Sequence, residues 1–142
     1  MFGAEESVKY ILEEMKTHGP FDGVLSFSQG SIMFRHLYRI VTDLDSASYP
    51  DVHLPSFVIS VGGPYFPKMT FDYKGKLIAQ DAFTLPLPSV HIYGKADEYK
   101  AFMTAHTLFT KEPLVIYHDE GHKFPRAIAD EDYAKLTAFV KA

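Results

Sequence analysis

Ser28 lies in the run Phe21-Asp22-Gly23-Val24-Leu25-Ser26-Phe27-Ser28-Gln29-Gly30-Ser31. A short apolar stretch leads into a serine among small residues, and a helical pattern follows at once. That is the layout of a nucleophile elbow, a tight strand-to-helix turn that holds a hydroxyl clear of the sheet. Such a serine attacks a carbonyl when a neighbouring base takes its proton. Small residues are required because the turn is strained and the two backbones approach closely. Of the G-x-S-x-G pattern, Gly30 fills the last position and Ser26 stands at the first. Taken alone, the pattern fits a nucleophile and an ordinary turn serine equally well. The order of acid and base along the chain adds to it. Ser89-Val90-His91-Ile92-Tyr93 reads as a strand that breaks at Gly94 into Lys95-Ala96-Asp97. Leu114-Val115-Ile116-Tyr117 reads as the next strand and breaks into His118-Asp119-Glu120-Gly121-His122. A serine, an acid and a histidine thus follow one another in the order Ser, Asp, His, each past the carboxyl end of a strand, where open parallel sheets collect their ligands.

Each of these residues has a plainer use. Asp97 also suits the N-cap of a helix beginning at Glu98. Asp119 and Glu120 are rival acids, and His122 is a loop histidine held between Gly121 and Pro125. His91, inside an apolar strand, reads as a core histidine. His18, His36, His53, His106 and His118 show no H-E-x-x-H spacing, so no metal site is expected. Lys95 and Tyr99 beside the acid read as solvated surface, the alternative being a place in the pocket lining. Tyr65 and Phe66, in Gly62-Gly63-Pro64-Tyr65-Phe66-Pro67, are candidates for the wall of an acyl pocket, the alternative being a turn tucked under the following loop.

The runs Gly19-Pro20-Phe21-Asp22-Gly23-Val24-Leu25-Ser26-Phe27-Ser28-Gln29-Gly30, Leu54-Pro55-Ser56-Phe57-Val58-Ile59-Ser60-Val61-Gly62-Gly63, Leu87-Pro88-Ser89-Val90-His91-Ile92-Tyr93-Gly94-Lys95-Ala96-Asp97 and Gly121-His122-Lys123-Phe124-Pro125 occur in this order. Together they resemble the FSH-type serine hydrolases of the α/β-hydrolase superfamily. The resemblance implies that Ser28 is the nucleophile, Asp97 the triad acid, His122 the general base and the Gln29 N–H an oxyanion donor. It implies hydrolysis of carboxylic esters or thioesters with no cofactor. Two positions depart from the family pattern: Ser26 replaces the elbow glycine, and Glu120 replaces the first glycine of G-G-H. A carboxylate two residues from the imidazole raises the imidazole's pKa if it points inward and does little if solvated. The family also begins with a strand and loop that supply a second oxyanion donor, whereas this chain starts at the helix before the nucleophile strand. The expectation is therefore an N-terminally truncated fold. Losing one such donor typically costs about 10²–10³ in turnover. The alternative is a catalytically silent relative acting as an interaction or structural subunit.

The elements that must position these groups alternate helix and strand. Residues 5–16 carry Val8, Ile11, Leu12 and Met15 on one face of a helix stopped by Gly19-Pro20. Strands are expected over residues 21–27, 56–61, 89–93 and 114–117, with helices over residues 30–44, 98–109 and 130–141, the last capped by Asp130. The stretch 62–88 reads as a Pro- and Gly-rich loop. This is an α/β pattern with a mostly parallel sheet, expected as a single α/β-hydrolase domain over 1–142 in three layers. Apolar content of 46% in 142 residues is enough to bury a core. A net charge of −4 argues against a nucleic-acid partner. No apolar run approaches the ~20 residues of a membrane span and no signal-peptide pattern opens the chain, so a cytoplasmic location is expected. The absence of cysteine excludes disulfides and thiolate chemistry. With nothing before it, the 21–27 strand would be an open edge bearing Phe21, Val24, Leu25 and Phe27, and such edges attract another chain. A dimer mate, another subunit or an N-terminal piece outside this chain is expected to cover it.

Overall fold

The computed structural model describes residues 3–79 and 83–142. Helix α1 (Ala4–His18) buries Ala4, Val8 and Leu12, one residue per turn along a single stripe. Glu5 and Glu6 sit in its first turn and Lys16 and His18 in its last, complementing the helix dipole. Strand β1 (Gly23–Phe27) leads into helix α2 (Gln29–Arg39). Helix α2 buries every residue from Ser31 through Leu37, because the sheet lies on one side of it and α1 with a hairpin on the other. Strand β2 (Phe57–Val61) follows, then the short strands β3 (Thr70–Tyr73) and β4 (Lys76–Ala79). Strands β5 (Ser89–Gly94) and β6 (Leu114–His118) and helix α3 (Asp130–Lys141) complete the chain.

Strands β1, β2, β5 and β6 form one parallel sheet in that order. The register pairs Phe27 with Val61, Val61 with Ile92 and Gly94 with His118. The carboxyl ends of all four strands therefore share one rim, as βαβ connections demand. On one face, Val58, Leu85, Leu87, Leu108 and Phe109 cluster with Phe34 of α2. On the other, Val61, Val90, Ile92 and Ile116 pack against Leu136 and Phe139 of α3. The result is three layers, as the alternating pattern implied.

Four local expectations change. Within the stretch read as a loop, β3 and β4 pair antiparallel through Lys74 and Gly75, which lie at φ 49 and 78. Two successive left-handed residues make the tight turn that suits a twisted hairpin. The helix expected over 98–109 is two short 3-10 turns, Lys100–Phe102 and Ala105–Leu108. A continuous helix would need the Phe102 carbonyl for residue 106, but it accepts the Tyr65 N–H at 2.8 Å, and at the end of the stretch Leu108 O accepts the Leu85 N–H at 2.8 Å. The helix expected over 30–44 ends as an α-helix at Arg39 and finishes in a π turn, Ile40–Leu44. There the Thr42 hydroxyl occupies the Tyr38 carbonyl at 2.7 Å. Finally, α3 is preceded by Ala129 at the N-cap with no side-chain cap, so Asp130 serves as a first-turn acid.

Among the described residues, strand β1 has a partner strand on one side only. Its Leu25 is 64% exposed and adjoins Phe124 and Tyr133, also exposed, along a groove that α3 does not fill.

Candidate active site

Ser28 stands between the end of β1 and the start of α2 at φ 53, ψ −120. A non-glycine residue there carries strain of order 1–3 kcal/mol, which the surroundings must hold. Its N–H donates to Val61 O at 2.9 Å, and its carbonyl accepts the Ser31 N–H at 3.0 Å. Beneath the turn the Ser26 and Ser31 hydroxyls bond at 2.9 Å, and Ser60 donates to Ser31 at 2.8 Å. Ser26 is thus buried and hydrogen-bonded across the elbow, its hydroxyl turned away from the reactive face. A β-carbon at Gly63 would fall 2.3 Å from Ser60 Oγ and 2.7 Å from Ser31 Cβ, so only glycine closes over this serine cluster.

The acid and the histidine arrive from the ends of β5 and β6. The two loops are stitched together by Lys95 N–H to His118 O at 2.8 Å and Ala96 N–H to Glu120 O at 3.1 Å. Gly94 permits that contact, since a β-carbon there would lie 2.3 Å from Gly121 O. The Ser28 hydroxyl meets His122 Nε2 at 2.7 Å, and His122 Nδ1 meets Asp97 Oδ2 at 2.7 Å. A buried carboxylate only accepts, so Nδ1 carries the proton and Nε2 is free to receive one from the serine. Asp97 is 2% exposed. Its other oxygen, Oδ1, accepts the Tyr99 N–H at 2.7 Å. No helix begins at Glu98, so Asp97 is not an N-cap; one oxygen closes a local turn onto the Tyr99 N–H and the other meets the histidine.

The rival acids lie elsewhere. Asp119 is exposed and faces Lys95 at 3.4 Å. The Glu120 carboxylate is held by the Arg126 N–H, Lys123 Nζ and Arg126 Nε. These bonds, the main-chain one foremost, bring its pKa down to about 2. His91 is fully buried with Nε2 bonded to Ser89 Oγ at 3.0 Å, and burial pushes its pKa down to about 3.

A cavity of about 360 Å³ opens over the Ser28–His122 pair, lined by Gln29, Ile32, Pro64, Phe66, Met69, Glu98 and Tyr99. Phe66 borders it. Tyr65 is not among its lining residues; it packs into the apolar cluster of Phe34 and Val58 below. Gln29, the first residue of α2, presents its main-chain N–H at the helix start beside Ser28, where such donors lack helical partners. Further side chains surround the imidazole. Tyr99, for which surface and pocket wall were both open, lines the cavity and packs edge-on to the His122 ring at 5.2 Å between centroids, and Phe27 flanks it at 5.2 Å. Gly62 (φ 57) sits beneath the ring. Arg35 is buried in the middle of α2 and donates to Pro64 O, fixing one wall; burial draws its pKa down to about 10. The hydrophobic pattern offered no signal for a charged group at that position.

Among the described residues no helix is long and apolar enough to cross a membrane. Compared with known proteins, the chain is 32% identical over 146 residues to Esterase C25G4.2 of Caenorhabditis elegans, covering 98% of this chain and 59% of the relative. It is 32% identical over 127 residues to Esterase OVCA2 of Homo sapiens, covering 88% of this chain and 52% of the relative. The chain thus spans between half and three-fifths of the length of these relatives. Among solved structures it superimposes on ClbQ from the colibactin NRPS/PKS pathway with a TM-score of 0.64 at 14% identity, over 96% of this chain and 74% of that one. It superimposes on the thioesterase RedJ of the prodiginine biosynthetic pathway in Streptomyces coelicolor with a TM-score of 0.66 at 10% identity, over 98% of this chain and 68% of that one. Those likenesses establish the fold. The model of the family described as serine hydrolase (FSH1) matches residues 1–132, and on that match the chain belongs to the FSH1 serine hydrolase family.

Proposed function

We propose that the chain hydrolyses carboxylic esters or thioesters through an acyl-enzyme on Ser28. The observation that carries this reading is the continuous relay from Ser28 Oγ through His122 to the buried Asp97, with 2.7 Å at each link, under a cavity of mixed lining. His122 Nε2 takes the hydroxyl proton as Oγ bonds to the substrate carbonyl carbon, and the carbonyl π electrons move to oxygen. The Gln29 N–H meets that oxyanion. Asp97 holds the proton-bearing Nδ1 and stabilises the imidazolium without itself being protonated. Collapse of the tetrahedral adduct breaks the bond to the alkoxide or thiolate, which leaves with the Nε2 proton. A water then gives its proton to Nε2 and attacks the acyl-serine, and Ser28 departs reprotonated. Ile32, Phe66, Met69 and Tyr99 offer an acyl group apolar surface, which favours hydrophobic acyl chains. The naming of RedJ as a thioesterase adds thioesters to the substrate class.

A second reading, a silent subunit kept for its contacts, is favoured by the uncovered β1 edge beside the nucleophile. Fluorophosphonate labelling of the purified chain followed by intact mass separates the two. The expected result is one adduct per chain, absent in Ser28→Ala and formed about 10⁴-fold more slowly in Asp97→Asn, where the imidazole loses its tautomer. A folded sample that takes no adduct refutes the hydrolase reading and leaves the silent subunit.

A further inference from the structure

We propose that Glu120 is a positioning residue, a latch that closes the loop carrying His122 and so holds the imidazole in line with Ser28 and Asp97. The inference rests on the hydrolase reading for its catalytic consequence and on geometry alone for the latch. After β6 ends at His118 the chain runs without helix or strand to Ala129, and His122 lies in that irregular stretch. Glu120 ties both ends of the stretch's first half. Its Oε2 accepts the Arg126 main-chain N–H at 2.7 Å, and its Oε1 accepts Arg126 Nε and Lys123 Nζ, each at 2.9 Å. The chain from residue 120 to 126 is thereby closed into a ring, with His122 as its third member.

The backbone of Glu120 anchors that ring to the Asp97 side of the site. Its carbonyl accepts the Ala96 N–H at 3.1 Å, and its N–H donates to His118 Nδ1 at 3.1 Å. Position 120 is thus the node where the acid's loop, strand β6 and the histidine's loop meet. The ring also carries Phe124, whose side chain lies 5.2 Å from Phe27, and Phe27 in turn lies 5.2 Å from the His122 ring. Closing the loop therefore fixes both the His122 backbone and the aromatic wall beside its side chain. Its donors keep the carboxyl ionised throughout the working pH range. The carboxylate points along the loop toward 123 and 126, where its bonds are made, and is not itself a partner of the imidazole. The consequence is a positional effect on His122.

The test compares wild type with Glu120→Ala, Glu120→Gln and Arg126→Ala. The imidazole ¹⁵N shifts of His122 read its tautomer in any folded sample, and the fluorophosphonate rate reads nucleophile activation. The expected wild-type spectrum shows a single tautomer protonated at Nδ1. In Glu120→Ala the two tautomers average and labelling slows by about 10- to 100-fold, the scale of an ångström-sized misplacement, with the saturation constant unchanged. Glu120→Gln keeps an oxygen for the Arg126 N–H and recovers most of the rate. Arg126→Ala, at a side chain that is largely exposed and safe to remove, gives an intermediate effect, and it carries the test if Glu120→Ala does not fold. A Glu120→Ala protein with the wild-type spectrum or the wild-type labelling rate overturns the latch, as does a wild type whose own imidazole averages. If wild type takes no adduct yet the spectra separate as described, the latch stands and the hydrolase reading falls.

Discussion

Replacing Gly62 by alanine puts the whole arrangement under a graded load, because the new methyl group touches only one member of the relay. Gly62 follows β2 at φ 57, and a β-carbon there would sit 3.1 Å from His122 Cε1, 3.2 Å from Nδ1 and 3.6 Å from Phe27 Cε2. The left-handed conformation alone costs an alanine roughly 1–2 kcal/mol of stability. The contact adds a second effect. To restore ordinary separation the imidazole must withdraw by a few tenths of an ångström, yet its two nitrogens are held at 2.7 Å from Asp97 and from Ser28. Both bonds cannot keep that length after the shift. Since a 1 Å misplacement is worth about 10²-fold, a shift of this size should lower kcat by about tenfold. KM should hold, because Gly62 lines no part of the cavity. Gly75 supplies the control. It has φ 78, and its β-carbon would meet nothing within 4 Å, so Gly75→Ala carries the conformational cost without the contact. The assay is hydrolysis of a p-nitrophenyl ester by both variants, alongside urea unfolding. Comparable losses of stability with a kcat loss confined to Gly62→Ala are expected. Wild-type kcat in Gly62→Ala, or an equal kcat loss in Gly75→Ala, refutes the claim that the imidazole's place is set by this contact.

Two further outcomes follow from the buried histidines and the open edge. His36, stacked on Phe71, and His91 have their pKa values lowered by burial from the usual 6.5 to about 3, so between those values the unfolded chain binds more protons than the folded one. Their contribution is full above pH 6.5 and is lost as pH falls toward 3. At about 1.4 kcal/mol per unit for each, going from pH 7 to pH 5 should cost about 4 kcal/mol. A urea midpoint unchanged between pH 7 and pH 5 refutes this. Below the ordinary carboxylate range Glu120 and Asp45, both lowered, act in the same direction. The exposed β1 edge with Leu25, Phe124 and Tyr133 should be covered by a second copy when the 142-residue chain is purified alone. Sedimentation should show a dimer that Leu25→Lys weakens, and a monodisperse monomer at about 100 μM sinks the idea.

The strands and the order of the site residues were legible because their signals are local. An apolar run ending in small residues marks a parallel strand and its rim, so β2, β5 and β6 fell within a residue or two of their expected bounds. The failures have more than one cause, and the first is competition from distant groups. Nothing between residues 98 and 109 announces that its carbonyls are claimed by Tyr65 and Leu85. The hairpin was hidden for a different reason. Its turn is Lys74-Gly75, and lysine at a left-handed position lacks the Asn-Gly signature that marks such turns. Arg35 and Gly62 escaped notice because their importance lies in what they face across the fold, namely Pro64 and His122.

The two departures from the glycine pattern, Ser26 and Glu120, make physical sense together. Each stands two residues before a member of the relay. A glycine at such a place gives the backbone freedom to bend, and a larger residue is compatible with the bend only if its side chain has somewhere to go. Ser26 turns its hydroxyl inward to Ser31, joining the strand before Ser28 to the helix after it. Glu120 turns its carboxylate along the loop to Arg126, joining the chain before His122 to the chain after it. In both cases the side chain that replaces hydrogen spans the relay residue, Ser28 or His122, and restrains the segment on either side. The strain at Ser28 and the irregular path around His122 are thus held by bonds that bracket them. This is why these substitutions are compatible with 2.7 Å contacts at both nitrogens of the histidine.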